Sequence, residues 1–175
     1  MLCPKEFIKI TFLDQYREIV YAHKFHYIGF ALICIGIEFL GKCLDQAHGW
    51  HDEGLSKDHF ERAINELMPK YNPCSAKLYR QLRSGFAHGL LPGPEIGLTH
   101  RDESSRYGTQ NLVESNGNLI LVVEEFYDDF ELGCKEILNR QFPQGDKMTN
   151  AILAMPSDPQ ATQAANVGAS GLCSG

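Results

Sequence analysis

The feature that most constrains the fold is an uncharged run of eleven residues, YIGFALICIGI, from Tyr27 to Ile37. The run lies within a longer segment, from about 27 to 46, that is apolar almost all round a helix. A helix that is apolar on every side needs other elements around it, and eleven residues are too few to cross a bilayer. The run therefore predicts a buried central helix.

Four further helices are predicted around this one. Apolar residues spaced three and four apart mark amphipathic helices at about 7–24 and 124–140. Another begins at Ser56, a favourable N-cap residue, and ends at about Met68 before a proline. The fourth in chain order follows Pro73 and closes at Gly89.

The segment from about 95 to 123 has a different pattern. β-branched and apolar residues flank Asn116-Gly117, a dipeptide typical of a two-residue hairpin turn. We therefore expect a mainly α fold, an up-and-down bundle of about five helices with a small β-hairpin inserted before the last helix. The domain should occupy residues 1–142. Residues 143–175 are rich in Ala, Gln, Ser, Gly and Pro and predict a disordered tail.

Composition narrows the functional classes. The net charge of −6 argues against a protein that coats nucleic acid or membrane through bulk attraction. The N-terminus has no apolar run followed by a cleavage site, so we expect a cytoplasmic protein without a membrane partner. The six cysteines form no C-x2-C pair, and the pairs His23/His26 and His48/His51 lack a further nearby ligand. No metal and no cofactor are expected.

One stretch of the chain is basic, although the protein as a whole carries a net negative charge. Residues 69–94 contain four Lys and Arg residues and no acid, and within them lies LYRQLRSGFAHGLLPG, residues 78–93. On a helical wheel one side carries the apolar residues Leu78, Leu82 and Phe86. The other carries Arg80, Arg83, Ser84 and His88 around the small Ala87. This polar side is either a functional recess or an ordinary surface, with His88 placed in the last turn by the helix dipole.

The stretch RSGFAH resembles the motif of the HEPN superfamily, helical-bundle domains found in toxin–antitoxin ribonucleases and other RNA-cleaving defence systems. That motif is Arg, a polar residue, a short gap and His, matched here by Arg83, Ser84 and His88. The similarity in helix order extends over about residues 7–140, with specificity confined to the six-residue motif. Ser84 stands where active members more often carry Asn, Asp or His.

The resemblance implies metal-independent cleavage of RNA, in which the ribose 2′-hydroxyl attacks the adjacent phosphate. This chemistry needs a group that exchanges protons near neutral pH and a fixed positive charge on the phosphorane. His88 would supply the first and Arg83 the second, with Ser84 orienting the imidazole or a phosphate oxygen. Arg80 and Lys77 would bind substrate. The resemblance also implies a site shared across a homodimer.

Glu38 is the remaining candidate, because a carboxylate in an apolar helix usually requires a partner. It either forms an ordinary pair with Lys42 at i, i+4 or lies across from Arg80 or Arg83 and orients the guanidinium.

Two functions remain open. The first is an endoribonuclease acting as a toxin or defence component, with an antitoxin or another protein as partner. The second is a noncatalytic HEPN-like module that binds RNA, nucleotide or a partner protein. The acidic net charge and Ser84 favour the second, and the basic stretch with Arg83 and His88 favours the first.

Overall fold

The computed structural model describes residues 2–142 and 147–150. Helix α1 is continuous and comprises Pro4–Phe7, Ile8–Gln15 and Glu18–Ala22, the last two segments with the wider π-helical turn. The other long helices are α2 (His26–Leu44), α3 (Ser56–Leu67) and α6 (Val123–Asn139). Helix α4 follows a 3₁₀ segment, Pro69–Cys74, and comprises Ser75–Lys77, Leu78–Arg83 and Ser84–Gly89. Two short helices are α5 (Arg101–Tyr107) and α7 (Lys147–Asn150). The strands are β1 (Ile96–Thr99), β2 (Val113–Ser115) and β3 (Asn118–Val122).

The expected mainly α fold is confirmed, with the small sheet placed before helix α6. Each of the five predicted helices is present with ends close to those expected. The short helix α5 was missed because its sequence, RDESSRY, has no apolar stripe to mark it.

Helix α2 forms the centre of the core, as its apolar character predicted. It packs chiefly on α3 and α6, and Ile33, Ile37 and Leu40 are completely buried. Two glycines allow the close approach. A Cβ atom at Gly36 would lie 2.5 Å from the ring of Phe130.

At Gly41 the approach involves backbone, since a Cβ there would lie 1.8 Å from the carbonyl oxygen of His59 in α3. Helices α2 and α3 therefore touch main chain to main chain at this point, which fixes Glu38 and Ser56 near each other.

Helix α2 continues through Glu38 and Lys42, beyond the eleven-residue uncharged run. At 19 residues it is long and apolar enough to cross a membrane, by length and composition, but 56% of that segment is buried within the fold. More than half of this candidate span is thus covered by other parts of the fold.

The sheet contains the predicted hairpin and one additional strand. Strands β2 and β3 pair antiparallel around Asn116 and Gly117, whose φ values of 52° and 80° both lie in the left-handed region that such turns need. Strand β1 pairs parallel to β3 on its other side, giving the order β1-β3-β2. The prediction of a small hairpin was thus incomplete, because β1 adds a third strand and the chain passes from β1 through α5 to β2.

Most of the predicted tail, residues 143–146 and 151–175, lies outside the described residues. Residues 147–150 within it form the helical turn α7. Met148 is buried there, and Lys147 Nζ donates a hydrogen bond of 2.6 Å to the carbonyl oxygen of Asp45.

Candidate functional site

The site is organised around an ion pair between α4 and α2. Arg83 Nη2 lies 2.5 Å from Glu38 Oε2, and the two side chains are 21% and 14% exposed. Of the two partners considered for Glu38, Lys42 and an arginine of α4, the structure therefore selects the arginine. A half-buried pair of this kind fixes the guanidinium in one orientation while part of it remains accessible.

Two further side chains complete the network. Ser56 Oγ donates a hydrogen bond of 2.8 Å to Glu38 Oε2, the same oxygen that faces Arg83. Tyr79 donates to Ser56 Oγ at 3.4 Å, and its ring lies 5.9 Å from the guanidinium carbon of Arg83. Arg83 is thus held by a charge on one side and an aromatic ring on another.

These two residues were missed by the sequence analysis. Ser56 was interpreted as an N-cap, but it is the first residue of α3 itself and its hydroxyl points to Glu38 instead. Tyr79 precedes Arg83 by four residues, and that spacing on a helix was the available signal for contact between them.

The polar residues of α4 are distributed around the helix axis differently from the prediction of an ideal α-helical wheel. The segment Leu78–Arg83 is π-helical, and the N–H of Ser84 bonds to the carbonyl of Tyr79, five residues earlier. A π-helix has more residues per turn than an α-helix, so Arg80 and Arg83 diverge more widely than predicted. Arg83 faces α2, whereas Arg80 points outward and is 66% exposed.

The basic stretch is opposed in space by acids that come later in the chain. Arg80 Nη2 lies 3.4 Å from Glu95 Oε1, and Lys77 Nζ lies 3.1 Å from Glu114 Oε1 and 3.9 Å from Glu95 Oε2. The stretch from 69 to 94 contains no acid, but the loop after α4 and the strand β2 supply two. The predicted substrate-binding pair Arg80 and Lys77 therefore carries partly balanced charge.

His88 lies in the last turn of α4 and is exposed, while Ser84 is half-buried. Five residues of α-helix separate Arg83 from His88 by about 140° around the axis and about 7.5 Å along it. The two side chains of one molecule therefore point in different directions. The apolar side of α4 is as predicted, with Leu78, Leu82 and Phe86 buried.

The chain leaves α4 through a residue in an unusual conformation. Leu90 has a φ of 54°, in the left-handed region where glycine is normally found after a helix. The Tyr27 hydroxyl of α2 donates a hydrogen bond to the Leu90 carbonyl, which ties this turn to the core. The Leu90 side chain is nonetheless 74% exposed. A large apolar side chain is thus presented next to His88.

Gly85 has a role inside the molecule. A Cβ atom there would lie 2.4 Å from the carbonyl oxygen of Leu91, so the residue permits the returning loop to pass over α4.

A cleft of about 450 Å³ opens beside Glu38 and is also lined by Lys42, Trp50, Glu53 and Ser56, among others. The loop that contains Trp50 therefore forms its rim, close to the ion pair. The nearby thiol of Cys34 is buried, which disfavours its nucleophilic thiolate form. Burial raises its pKa well above the ordinary value, and the positive charge of Arg83 offsets this only in part.

The arrangement can hold an anionic group against a fixed guanidinium and can offer an exposed imidazole for proton transfer.

Comparison with protein-family models, with curated proteins and with solved structures finds no match to this chain.

Proposed function

We propose that the chain is a HEPN-like, metal-independent endoribonuclease of the cytoplasm that cleaves RNA through attack of the ribose 2′-hydroxyl. The observation that carries the proposal is the fixed position of Arg83. Its guanidinium pairs with Glu38, which in turn accepts a hydrogen bond from Ser56, and the helix of Arg83 also bears the exposed His88. A guanidinium already oriented loses little freedom when it binds a phosphate, and so stabilises developing negative charge at low cost.

Each polar residue of RSGFAH has a separate role in this proposal. Arg83 binds the scissile phosphate and stabilises the phosphorane, and His88 exchanges the proton of the 2′-hydroxyl or of the leaving oxygen. Ser84 hydrogen-bonds a phosphate oxygen or the imidazole. Arg80 and Lys77 guide the RNA strand at the edge of the site. Their attraction for phosphate is weaker than that of a free cation, because Glu95 and Glu114 balance part of their charge.

A homodimer completes this site. The angle between Arg83 and His88 in one molecule leaves room for the His88 of a second copy to approach the first molecule's Arg83. Exposed apolar side chains that suit such a contact are found just after His88, at Leu90 and Leu91, and on α2, at Tyr27, Ile28 and Ile35. Ile28 and Ile35 are seven residues apart and share one face of α2.

The second candidate is a noncatalytic HEPN-like module that binds RNA, nucleotide or a protein partner such as an antitoxin. It is favoured by the acids Glu95 and Glu114, which reduce the positive potential that a nuclease groove would use. It would retain the Glu38–Arg83 pair as a fixed anchor for one phosphate.

The test is incubation of the purified protein with mixed RNA in EDTA, for the wild type, His88→Ala and the control His23→Ala, which removes an exposed histidine at the end of α1. Cleavage by the wild type and by His23→Ala, with at least a hundredfold loss in His88→Ala, supports the ribonuclease. Equal cleavage by all three proteins contradicts it. RNA binding without cleavage selects the second candidate.

A further inference from the structure

Three side chains that can bind metal converge at the end of α2 farthest from Lys42. His26 is the first residue of α2, His100 immediately precedes α5, and Glu124 is the second residue of α6. One ligand atom from each lies within 4.8 Å of the other two, and His26 Nε2 is 3.9 Å from Glu124 Oε1. The sequence suggested His23 as the companion of His26, but His23 is exposed and stacks on Phe25.

The two imidazoles have buried nitrogen atoms with unused hydrogen-bonding capacity. Among the described residues, His26 Nε2 and His100 Nδ1 are both shielded from solvent and neither has a hydrogen-bond partner. Buried polar atoms in folded proteins nearly always have one. Two such atoms at one place therefore indicate that a further group belongs there.

Glu124 is prepared for the same role. Its side chain is only 11% exposed. Its Oε2 accepts a hydrogen bond of 2.9 Å from the backbone N–H of Arg101, while Oε1 faces His26. An outer hydrogen bond that orients one carboxylate oxygen and leaves the other available is the usual support for a metal ligand. A buried carboxylate is costly without a compensating cation.

The present geometry requires a modest rearrangement. The two rings are stacked, with centroids 4.2 Å apart and planes inclined by 21°, so their lone pairs do not yet converge. Tetrahedral zinc would bring the ligand atoms to about 3.3 Å from one another. Rotation of one ring about its Cβ–Cγ bond, a soft torsion, together with a small shift of the side chains, achieves this.

Space for a further ligand is present. A cavity of about 130 Å³ lies against the cluster and is lined by His26, Phe30, His100 and Glu103, among others. Glu103 Oε2 is 3.9 Å from His100 Nε2, so it can hydrogen-bond either a bound water or the outer nitrogen of a ligating His100.

We propose that His26, His100 and Glu124 bind a zinc ion, with water in the fourth position. Two imidazoles and one carboxylate form a ligand set that suits zinc and excludes the harder magnesium ion. The ion ties together the starts of α2, α5 and α6. Since Glu38 lies twelve residues farther along α2, about 18 Å away along the helix axis, this site is separate from the proposed ribonuclease site.

The test is calorimetric titration of the EDTA-treated, dialysed protein with zinc chloride. The variants are His100→Ala, Glu124→Gln and the control His23→Ala, which removes a neighbouring exposed histidine. Glu124→Gln keeps an oxygen to accept the Arg101 N–H, so this variant preserves the local fold. Circular dichroism establishes that each variant is folded, and magnesium chloride serves as the ion control.

We expect the wild type and His23→Ala to bind one zinc ion at micromolar or tighter affinity, with a rise in melting temperature. His100→Ala and Glu124→Gln should bind at least tenfold more weakly, without that rise. Cobalt in place of zinc should give the visible absorption of a tetrahedral site. The proposal is overturned if the wild type shows no saturable 1:1 binding, or if both ligand variants bind like the control. RNA cleavage measured in EDTA is independent of either result.

Discussion

Arg83 Nη2 and Glu38 Oε2 lie 2.5 Å apart in an ion pair whose two side chains are largely shielded from solvent. The pair joins the candidate site to the central helix, because Glu38 belongs to α2 and Arg83 to α4. Ser56 of α3 binds the same carboxylate oxygen. Three helices therefore determine where one guanidinium points.

Glu38→Gln should impair RNA cleavage without removing any group that touches RNA. The neutral amide attracts Arg83 less strongly, so the guanidinium samples more orientations and we expect about a tenfold loss in cleavage rate, equivalent to about 1.4 kcal/mol. The matched control is Glu61→Gln, on α3, whose partner Lys57 is exposed. Cleavage rates measured in EDTA provide the comparison, and unchanged activity in Glu38→Gln would count against the positioning role.

Asp45 should control stability in acid. Burial alone raises its pKa, but hydrogen bonds from His48, the Ala47 N–H and His59, together with the charge of Arg62, hold the pKa well below its ordinary value. A lowered folded-state pKa contributes stability that is fully present above about pH 4 and is lost as the pH falls through the folded-state pKa.

Asp45→Asn should therefore lower the free energy of unfolding at pH 7 by about 3 kcal/mol. Its deficit relative to the wild type should shrink between about pH 4 and pH 2. Urea unfolding across this pH range measures both effects. Asp14→Asn, on the exposed side of α1, serves as the control and should follow the wild-type curve. A deficit independent of pH would show that packing rather than charge is lost.

Two glycine-to-alanine substitutions within helices should have opposite effects. At Gly41 the added Cβ meets the His59 carbonyl at 1.8 Å, so α2 and α3 must separate, and we expect a loss of about 3 kcal/mol or more. At Gly89 a Cβ atom has nothing within 4 Å, and alanine should stabilise by about 0.5–1 kcal/mol. Thermal unfolding of both variants gives the comparison, and equal melting temperatures would disprove the close helix contact.

Leu90→Gly should increase monomer stability while weakening dimerisation. Glycine relieves the left-handed conformation of Leu90, worth about 1 kcal/mol, but removes an exposed apolar side chain from the proposed interface. Light scattering after size exclusion, over a dilution series, measures the dimer. Leu132→Ala, which truncates an exposed leucine on α6, should leave association unchanged. A Leu90→Gly protein that dimerises like the wild type would place the interface elsewhere.

The structural features predicted correctly from the sequence are those that depend on local residue pattern. Helix positions and the buried side of α4 follow from the spacing of apolar residues, and the hairpin follows from Asn116-Gly117. The wider π-helical turn that separates Arg80 from Arg83 was not predicted, because nothing in those residues distinguishes it from an α-helix.

Contacts between distant parts of the chain were also inaccessible to pattern analysis. Glu95 and Glu114 oppose the basic stretch only after the loop and β2 fold back over α4. His26 meets His100 only through the packing of α5. Such partners are set by topology, so a single sequence without related sequences does not reveal them.

The dependence of α2 on α6 has a consequence for biosynthesis. Gly36 of α2 is covered by Phe130, and the Tyr127 hydroxyl reaches the carbonyl oxygen of Phe12, 115 residues earlier. At ribosomal rates α6 emerges roughly 4–16 s after α2. During that interval the most apolar helix lacks the cover that α6 provides, so the nascent chain is a natural client for a chaperone that shields apolar surface until the last long helix arrives.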